Sequence, residues 1–360
     1  MVCQFIGKNS CRIARLRSWA VLAVGLAVLT SWTVAAEPEA GAKDKGHAPA
    51  KPAVKQPSLL PRGVRAEKDI QYVPGGDEAQ RLDLYLPEQA ADTPLPLIVC
   101  IHGGGWQGGS KTWCPMIHMV GRGYAVASVE YRFSQKAIFP AQIQDCQAAI
   151  RWLRANSKKY NFDPDHIGVI GASAGGHLVA LLGTSGGKQA FAPIGANEEQ
   201  SDRVQAVCDY YGPTDFNTVM QQAADDKNVK NIFKFNTPSD PYSCLIGVSL
   251  GSDKQKSDAV SPVHYVSQDN PPILILHGTF DALVPYAQST EFVAALKEKG
   301  VAVLLQTLPG SGHGGPAFGK PALVPLITNF FDKHLKGADV KVELVPESEL
   351  ALPPARPPEK

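Results

Sequence analysis

Six short, nearly continuous apolar runs constrain the fold of this chain more than any other feature: Leu97–Ile101, Ala125–Val129, Ile167–Ile170, Val204–Tyr210, Ile273–Leu276 and Val301–Leu305. Strands of this kind, apolar on successive residues, suit a parallel sheet covered on both faces. Arg81–Leu86 alternates instead and reads as a leading strand. Between the runs lie helical patterns. Ala141–Asn156 places Ile143, Cys146, Ala149, Ile150 and Leu153 at spacings of three and four, and Gly176–Leu182, Gln288–Lys299 and Leu323–Leu335 are further candidates. Strands alternating with helices predict an α/β fold with an open, mostly parallel sheet and helices on both faces. Ligands then belong at the carboxyl ends of the strands. With 44% apolar residues there is ample core material, and 33 Gly with 29 Pro argue for many turns rather than a helical bundle. No repeat of 20–50 residues is visible.

The patterned stretch is 63–337, read as one catalytic-sized domain. Residues 1–36 read as a signal peptide: a basic segment to Arg17, the apolar run Ala20–Leu29, and small residues ending Val34-Ala35-Ala36. The rival reading is an uncleaved anchor, since Ser18–Ala36 is just long enough to span a bilayer. Cleavage and export, to the periplasm or the medium, without stable membrane insertion afterwards, is the expectation. Residues 37–62 are an Ala/Pro/Lys-rich linker, and 338–360 a Pro-rich tail. Lys+Arg 35 against Asp+Glu 34 leaves a formal charge of +1, which gives no basic surface for nucleic acid. The five cysteines after position 36 are scattered and lack zinc-site spacing. Cys100 and Cys208 read as core. One disulfide, for instance Cys114 with Cys146, is open, and sequence alone cannot pair them.

Chemistry concentrates in three places. Gly171-Ala172-Ser173-Ala174-Gly175 follows an apolar strand and precedes an apolar helix. A serine at so tight a strand-to-helix turn needs small neighbours, and the turn exposes its hydroxyl above the sheet. His102-Gly103-Gly104-Gly105-Trp106 directly follows Leu97–Ile101. Its glycines allow a sharp turn with amides pointing inward, where such amides with that of Ala174 would bind an oxyanion. Ser110-Lys111-Thr112 hints at a phosphate loop, but Ser110 stands where that motif requires Gly. A serine hydroxyl needs a base, and the base an orienting acid. Asp281 and His313 follow in the expected chain order, each just past a later strand.

The remaining polar candidates carry less. His177 sits in the helix after Ser173 and cannot reach back as base, although it is retained with Trp106 as a tentative substrate-binding residue. Trp106 would either limit the acyl pocket or simply pack. His102 reads as bonding its own loop, His277 as a packed, hydrogen-bonded residue, and Asp145 as a partner of Arg132 or an ordinary exposed carboxylate. His118, His166, His264 and His334 have no partner pattern.

Together these motifs resemble the α/β-hydrolase fold, and within it the bacterial bifunctional feruloyl and acetyl-xylan esterases, related to the hormone-sensitive-lipase-like enzymes. The likeness covers most of 63–337 and includes Glu130-Tyr131-Arg132, Tyr211-Gly212-Pro213-Thr214-Asp215-Phe216 and Ser261-Pro262. It implies Ser173 as nucleophile, Asp281 orienting His313, and Gly104 or Gly105 of the glycine loop with Ala174 as oxyanion hole, with no metal and no organic cofactor. Only about 40 residues of patterned chain precede His102, too few for the amino-terminal cap of the hormone-sensitive-lipase relatives, so their lid and acyl preferences do not carry over. The expected substrate is a short-chain ester, acetyl or feruloyl, of a polysaccharide. The alternatives are a formamidase-type amidase, a lipase, a prolyl-oligopeptidase-type peptidase (for which there is no room for a propeller) and a non-catalytic binding protein. Lid material is confined to 184–202 and 214–260; the latter is charged and offers Phe233, Phe235 and Tyr242 either to sugar rings or to the core. The sequence leaves the oligomeric state open.

Overall fold

The computed structural model describes residues 60–227 and 229–350. The signal-like segment and most of the linker therefore lie outside the described residues, as does the end of the tail. Eight strands form one sheet: β1 Val64–Gln71, β2 Arg81–Pro87, β3 Leu95–Ile101, β4 Ala125–Val129, β5 Phe162–Ala172, β6 Ala206–Tyr210, β7 Ile273–Gly278 and β8 Val303–Leu308. Their order is β1-β2-β4-β3-β5-β6-β7-β8. The β1–β2 and β2–β4 pairs are antiparallel and every later pair is parallel. The helices are α1 Ala141–Ala155, α2 Ser157–Tyr160, α3 Ala174–Ser185, α4 Val219–Asp225, α5 Pro241–Ile246, α6 Lys254–Val260, α7 Tyr286–Glu298, α8 Leu323–Lys336 and α9 Glu347–Leu350.

Burial on both faces explains the continuous apolar runs. Along β3, Leu97, Val99 and Ile101 join one core, while Ile98 and Cys100 join the other. The first core receives α1, α3 and α7 through Ile143, Ile150, Leu178, Leu182, Phe292 and Leu296. The second receives α8 through Leu326, Phe330, Phe331 and Leu335. Each of these side chains is almost wholly removed from water, worth about 1.5–3 kcal/mol apiece against exposure. All six runs and the alternating leader are strands, and the main helical patterns are helices.

Three expectations need correction. β1 was not foreseen, because Arg65, Glu67, Lys68 and Asp69 give it the look of a polar linker; it is an edge strand with mostly solvated side chains. The tail is not a loose appendage throughout. Leu350 is fully buried, Val342 and Val345 pack on the second core, and Gln306 exchanges two hydrogen bonds with the Val345 backbone, at 2.7 and 3.1 Å. Finally, Cys114 faces Cys100 at 3.9 Å between sulfurs, whereas Cys146 sits in the core on the other face of the sheet. A Cys114–Cys146 link is therefore out of reach.

Candidate active site

Close backbone packing forces the turn around Ser173. A Cβ on Gly171 would lie 2.2 Å from the Gly175 carbonyl oxygen, and one on Gly175 would lie 2.1 Å from that of Ile101. Glycine at both positions lets the β5–α3 turn close with Ser173 at φ 57°, ψ −119°, a strained conformation for a residue with a side chain. The hydroxyl is thereby raised at the strand end, and the amide of Ala174 opens the 12-residue α3, where the helix dipole favours negative charge.

The loops after β7 and β8 bring the partners. A Cβ on Gly278 would meet the Ser311 carbonyl oxygen at 2.3 Å, so glycine there lets the two loops lie against each other. His313 Nδ1 donates to Asp281 Oδ2 at 2.7 Å, and its Nε2 accepts from the Ser173 hydroxyl at 2.8 Å. Asp281 Oδ1 accepts the amides of Leu283 and Val284 at 2.8 and 2.9 Å. Burial works to raise the Asp281 pKa, but interactions with His277 and His313 outweigh it and hold the carboxyl well below the usual range. The acid is thus an anion at any working pH, fixing the proton of His313 on Nδ1 and leaving Nε2 free to accept.

The glycine loop lies across from the serine. Gly104 and Gly105 have φ of +111° and +60°, and with Gly103, Ser173 and His313 they line a cleft of about 620 Å³. His102 braces this loop as expected. Its Nδ1 lies 2.8 Å from the Gly103 carbonyl and its Nε2 2.6 Å from Glu130, whose other oxygen takes the Lys111 amide. The ring stacks on Tyr131 at 4.5 Å. Asp145 is fully buried and bidentate to Arg132, at 2.8 and 2.9 Å, so the brace reading of that pair holds and the exposed one does not.

Trp106 and His177 are not substrate-facing. Both are buried and neither lines the cleft. Trp106 Nε1 donates to His177 Nδ1 at 3.2 Å, and His177 Nε2 donates to the Val260 carbonyl at 2.7 Å. Burial pushes the His177 pKa down to about 4. With Phe216 and Tyr242 they form an aromatic cluster that joins α3 and the glycine loop to the segment after β6. Of the aromatics in that segment, Tyr242 is core, Phe235 packs on the core, and Phe233 packs on the core while also lining the cleft.

One contributor was missed. Tyr211, at φ 47°, lines the cleft with its ring 4.5 Å from that of His313. Burial, then the nearby Asp281 and Asp209, raise its pKa to about 12, so it stays a neutral hydroxyl. Its position one residue past β6, within Tyr211-Gly212-Pro213, was the available signal. Among the described residues no group of three or more His, Cys, Asp or Glu is placed to hold a metal, and no helix is long and apolar enough to cross a membrane.

The family profile of BD-FAE, the bifunctional feruloyl/acetyl esterases, matches residues 82–296, more than half of the chain. The chain belongs to the BD-FAE family. His313 lies beyond the matched stretch, and the geometry above links it to Ser173 and Asp281. Esterase LipQ of Mycobacterium tuberculosis is 34% identical over 250 residues, covering 68% of this chain and 56% of that protein. The match thus spans little more than half the length of this curated relative. A structure of a truncated carbohydrate esterase from gut microbiota superposes with a TM-score of 0.68 at 31% identity, covering 76% of this chain and 96% of the other. An acetyl ester-xyloside bifunctional hydrolase from Caldicellulosiruptor lactoaceticus gives a TM-score of 0.58 at 26% identity, covering 78% and 97%. These BD-FAE and esterase likenesses agree with the α/β-hydrolase sheet described above.

Proposed function

We propose that this BD-FAE chain is an exported serine carboxylesterase that cleaves short acyl esters, acetyl or feruloyl, from a polysaccharide. The observation that carries the reading is the unbroken line from Asp281 through His313 to the strained Ser173 beside the glycine loop, at 2.7 and 2.8 Å. In the reaction the Ser173 oxygen forms a bond to the ester carbonyl carbon while its proton passes to His313 Nε2. The carbonyl oxygen becomes an anion facing the Ala174 amide and those of Gly104 or Gly105. Collapse expels the alcohol, which takes the proton from His313 and leaves an acyl-Ser173. Water then attacks with His313 again as base, and the acid and free serine are regenerated.

The cleft is lined mostly by apolar surface, which suits an acyl group, with a minority of polar groups that would meet a carbohydrate alcohol. Gln107, Ser110, Ser239 and Tyr211 offer polar groups beside the rings of Trp113 and Phe233. The named carbohydrate esterase and acetyl ester-xyloside hydrolase among the similar structures point the same way. A feruloyl ester is the second choice, supported by Leu283 in the wall and the exposed Phe280 three residues before it in sequence. The test is a p-nitrophenyl series from acetate to palmitate, run beside acetylated xylan, methyl ferulate and N-formylkynurenine. A maximum at acetate or propionate with release from acetylated xylan supports the reading. A maximum at ten carbons or more with interfacial activation makes the protein a lipase, and a preference for the formamide makes it an amidase. Export rests on the segment 1–36 alone, and amino-terminal sequencing of the protein recovered outside the cytoplasm tests it: a new terminus near Glu37 is expected.

A further inference from the structure

We propose that His277 is a positioning residue for this reaction, holding Asp281 through the same carboxylate oxygen that receives His313. The inference rests on the esterase reading above, because it concerns how Asp281 serves His313.

The hydrogen positions follow from the partners. His277 Nε2 lies 3.2 Å from Asp281 Oδ2 and 3.0 Å from the Val284 carbonyl oxygen. Both partners are acceptors, so Nε2 carries the hydrogen; it is directed at the Val284 carbonyl, and Asp281 Oδ2 lies in charge contact with the same N–H. On the far side of the ring, Nδ1 lies 2.6 Å from Ser289 Oγ, so the Ser289 hydroxyl donates to it. His277 and Ser289 are both fully buried. Ser289 and His277 thus approach Asp281 from one side, the last step a charge contact, and the hydrogen-bonded Ser173 and His313 approach it from the other.

Amide donors hold only Oδ1 of Asp281, and a carboxylate pinned at one oxygen can still twist, since torsions of that type are broad. The His277 N–H sets a partial positive charge 3.2 Å from Oδ2 beside the His313 donor, which biases the carboxylate plane and hence the direction of the imidazole it holds. Of the influences that lower the Asp281 pKa, the interaction with His277 is the largest. The other groups around the ring are those of Tyr286 and Tyr211, at 5.6 and 6.4 Å, and the buried Asp209 on β6. A purely structural role, tying the 281–284 turn to α7, is the rival account.

Kinetics with p-nitrophenyl acetate, paired with thermal melts, separate the two. His277→Leu should lower kcat about 10- to 100-fold, the scale of one lost N–H contact to a charged group, with KM within about twofold. His277→Gln, which can present an N–H where Nε2 stood, should recover most of that loss. In an Asp281→Ala background the same His277→Leu change should cost less than about twofold, because its target is gone. A His277→Leu protein that keeps over half of kcat, or an equal loss in both backgrounds, overturns the proposal. If His277→Leu fails to fold, Ser289→Ala decides: a roughly 3- to 10-fold fall in kcat at constant KM is expected, and an unchanged kcat overturns it. Wild-type protein that neither turns over esters nor labels with a fluorophosphonate sinks the esterase reading and this inference together. Wild-type turnover with an indifferent His277 sinks this inference alone.

Discussion

The strand-end edge that carries Ser173, Asp281 and His313 is built differently from the segment 214–260 that walls one side of the cleft. At the edge, the turns that carry the side chains are set by close backbone packing: glycines at 171, 175 and 278 permit contacts that any Cβ would block. The segment is held by side chains instead. Asp240 caps α5 by accepting the Tyr242 amide, Ser261 Oγ accepts the Phe216 amide, and the Val260 carbonyl receives His177. Backbone-held geometry is stiff and leaves a strict motif, whereas side-chain packing tolerates many solutions. The edge is where the chemistry belongs, and the segment is where substrate choice belongs.

That contrast sets the order of expected effects. Ser173→Ala or His313→Ala should each lower kcat by about 10⁴–10⁶ with the melting temperature preserved, and the pair together should cost little more. A tenth of wild-type turnover in either well-folded variant would break the assignment. Deleting 338–360 should act on stability alone. Exposing the Leu350 pocket and losing the Gln306 bonds should cost on the order of 3 kcal/mol, read as a lower denaturant midpoint with the kcat of the surviving native protein unchanged. An unchanged midpoint would return the tail to a loose appendage. Phe233→Ala should raise KM on acetylated xylan about 3- to 10-fold and leave p-nitrophenyl acetate nearly untouched, the mark of a residue that meets the alcohol side only. An equal rise on both substrates would move Phe233 into the acyl pocket.

The last effect, on stability alone, lies in Asp209. It is fully buried, accepts the Gly212 amide on Oδ1, and its Oδ2 has no hydrogen-bond partner among the described residues. Burial raises its pKa to about 6. A raised carboxyl binds its proton more tightly folded than unfolded, so stability falls as pH rises from about 4 to about 6 and stays lower above that. Asp209→Asn should therefore gain about 1–2 kcal/mol at pH 8 and much less at pH 4.5. An equal shift at both values would show that charge is not the cause.

The same contrast explains what could be read in advance. The parallel strands were legible because both faces are buried, which leaves unbroken apolar runs. Ser173, Asp281 and His313 were legible because each follows such a run in a fixed order. The glycine loop and Ala174 were singled out by the need for inward-pointing amides, and the choice of Gly104 or Gly105 within the loop came from the family resemblance. Trp106 and His177 were misplaced because neighbourhood in sequence does not say which way a side chain points: both turn beneath the loop and bond each other. His277 was read as packed and hydrogen-bonded, which it is, but its partner Asp281 four residues on could not be inferred before the turn was seen. Edge strand β1 and the tail escaped because few of their side chains are buried, so neither shows an apolar period.

The most direct measurement of the central claim is covalent labelling of the purified protein by a fluorophosphonate, followed by intact mass and peptide mapping. One adduct per chain on Ser173, absent from Ser173→Ala and strongly slowed in His313→Ala, is the expected result. No adduct on a folded protein, or an adduct on another serine, would contradict it.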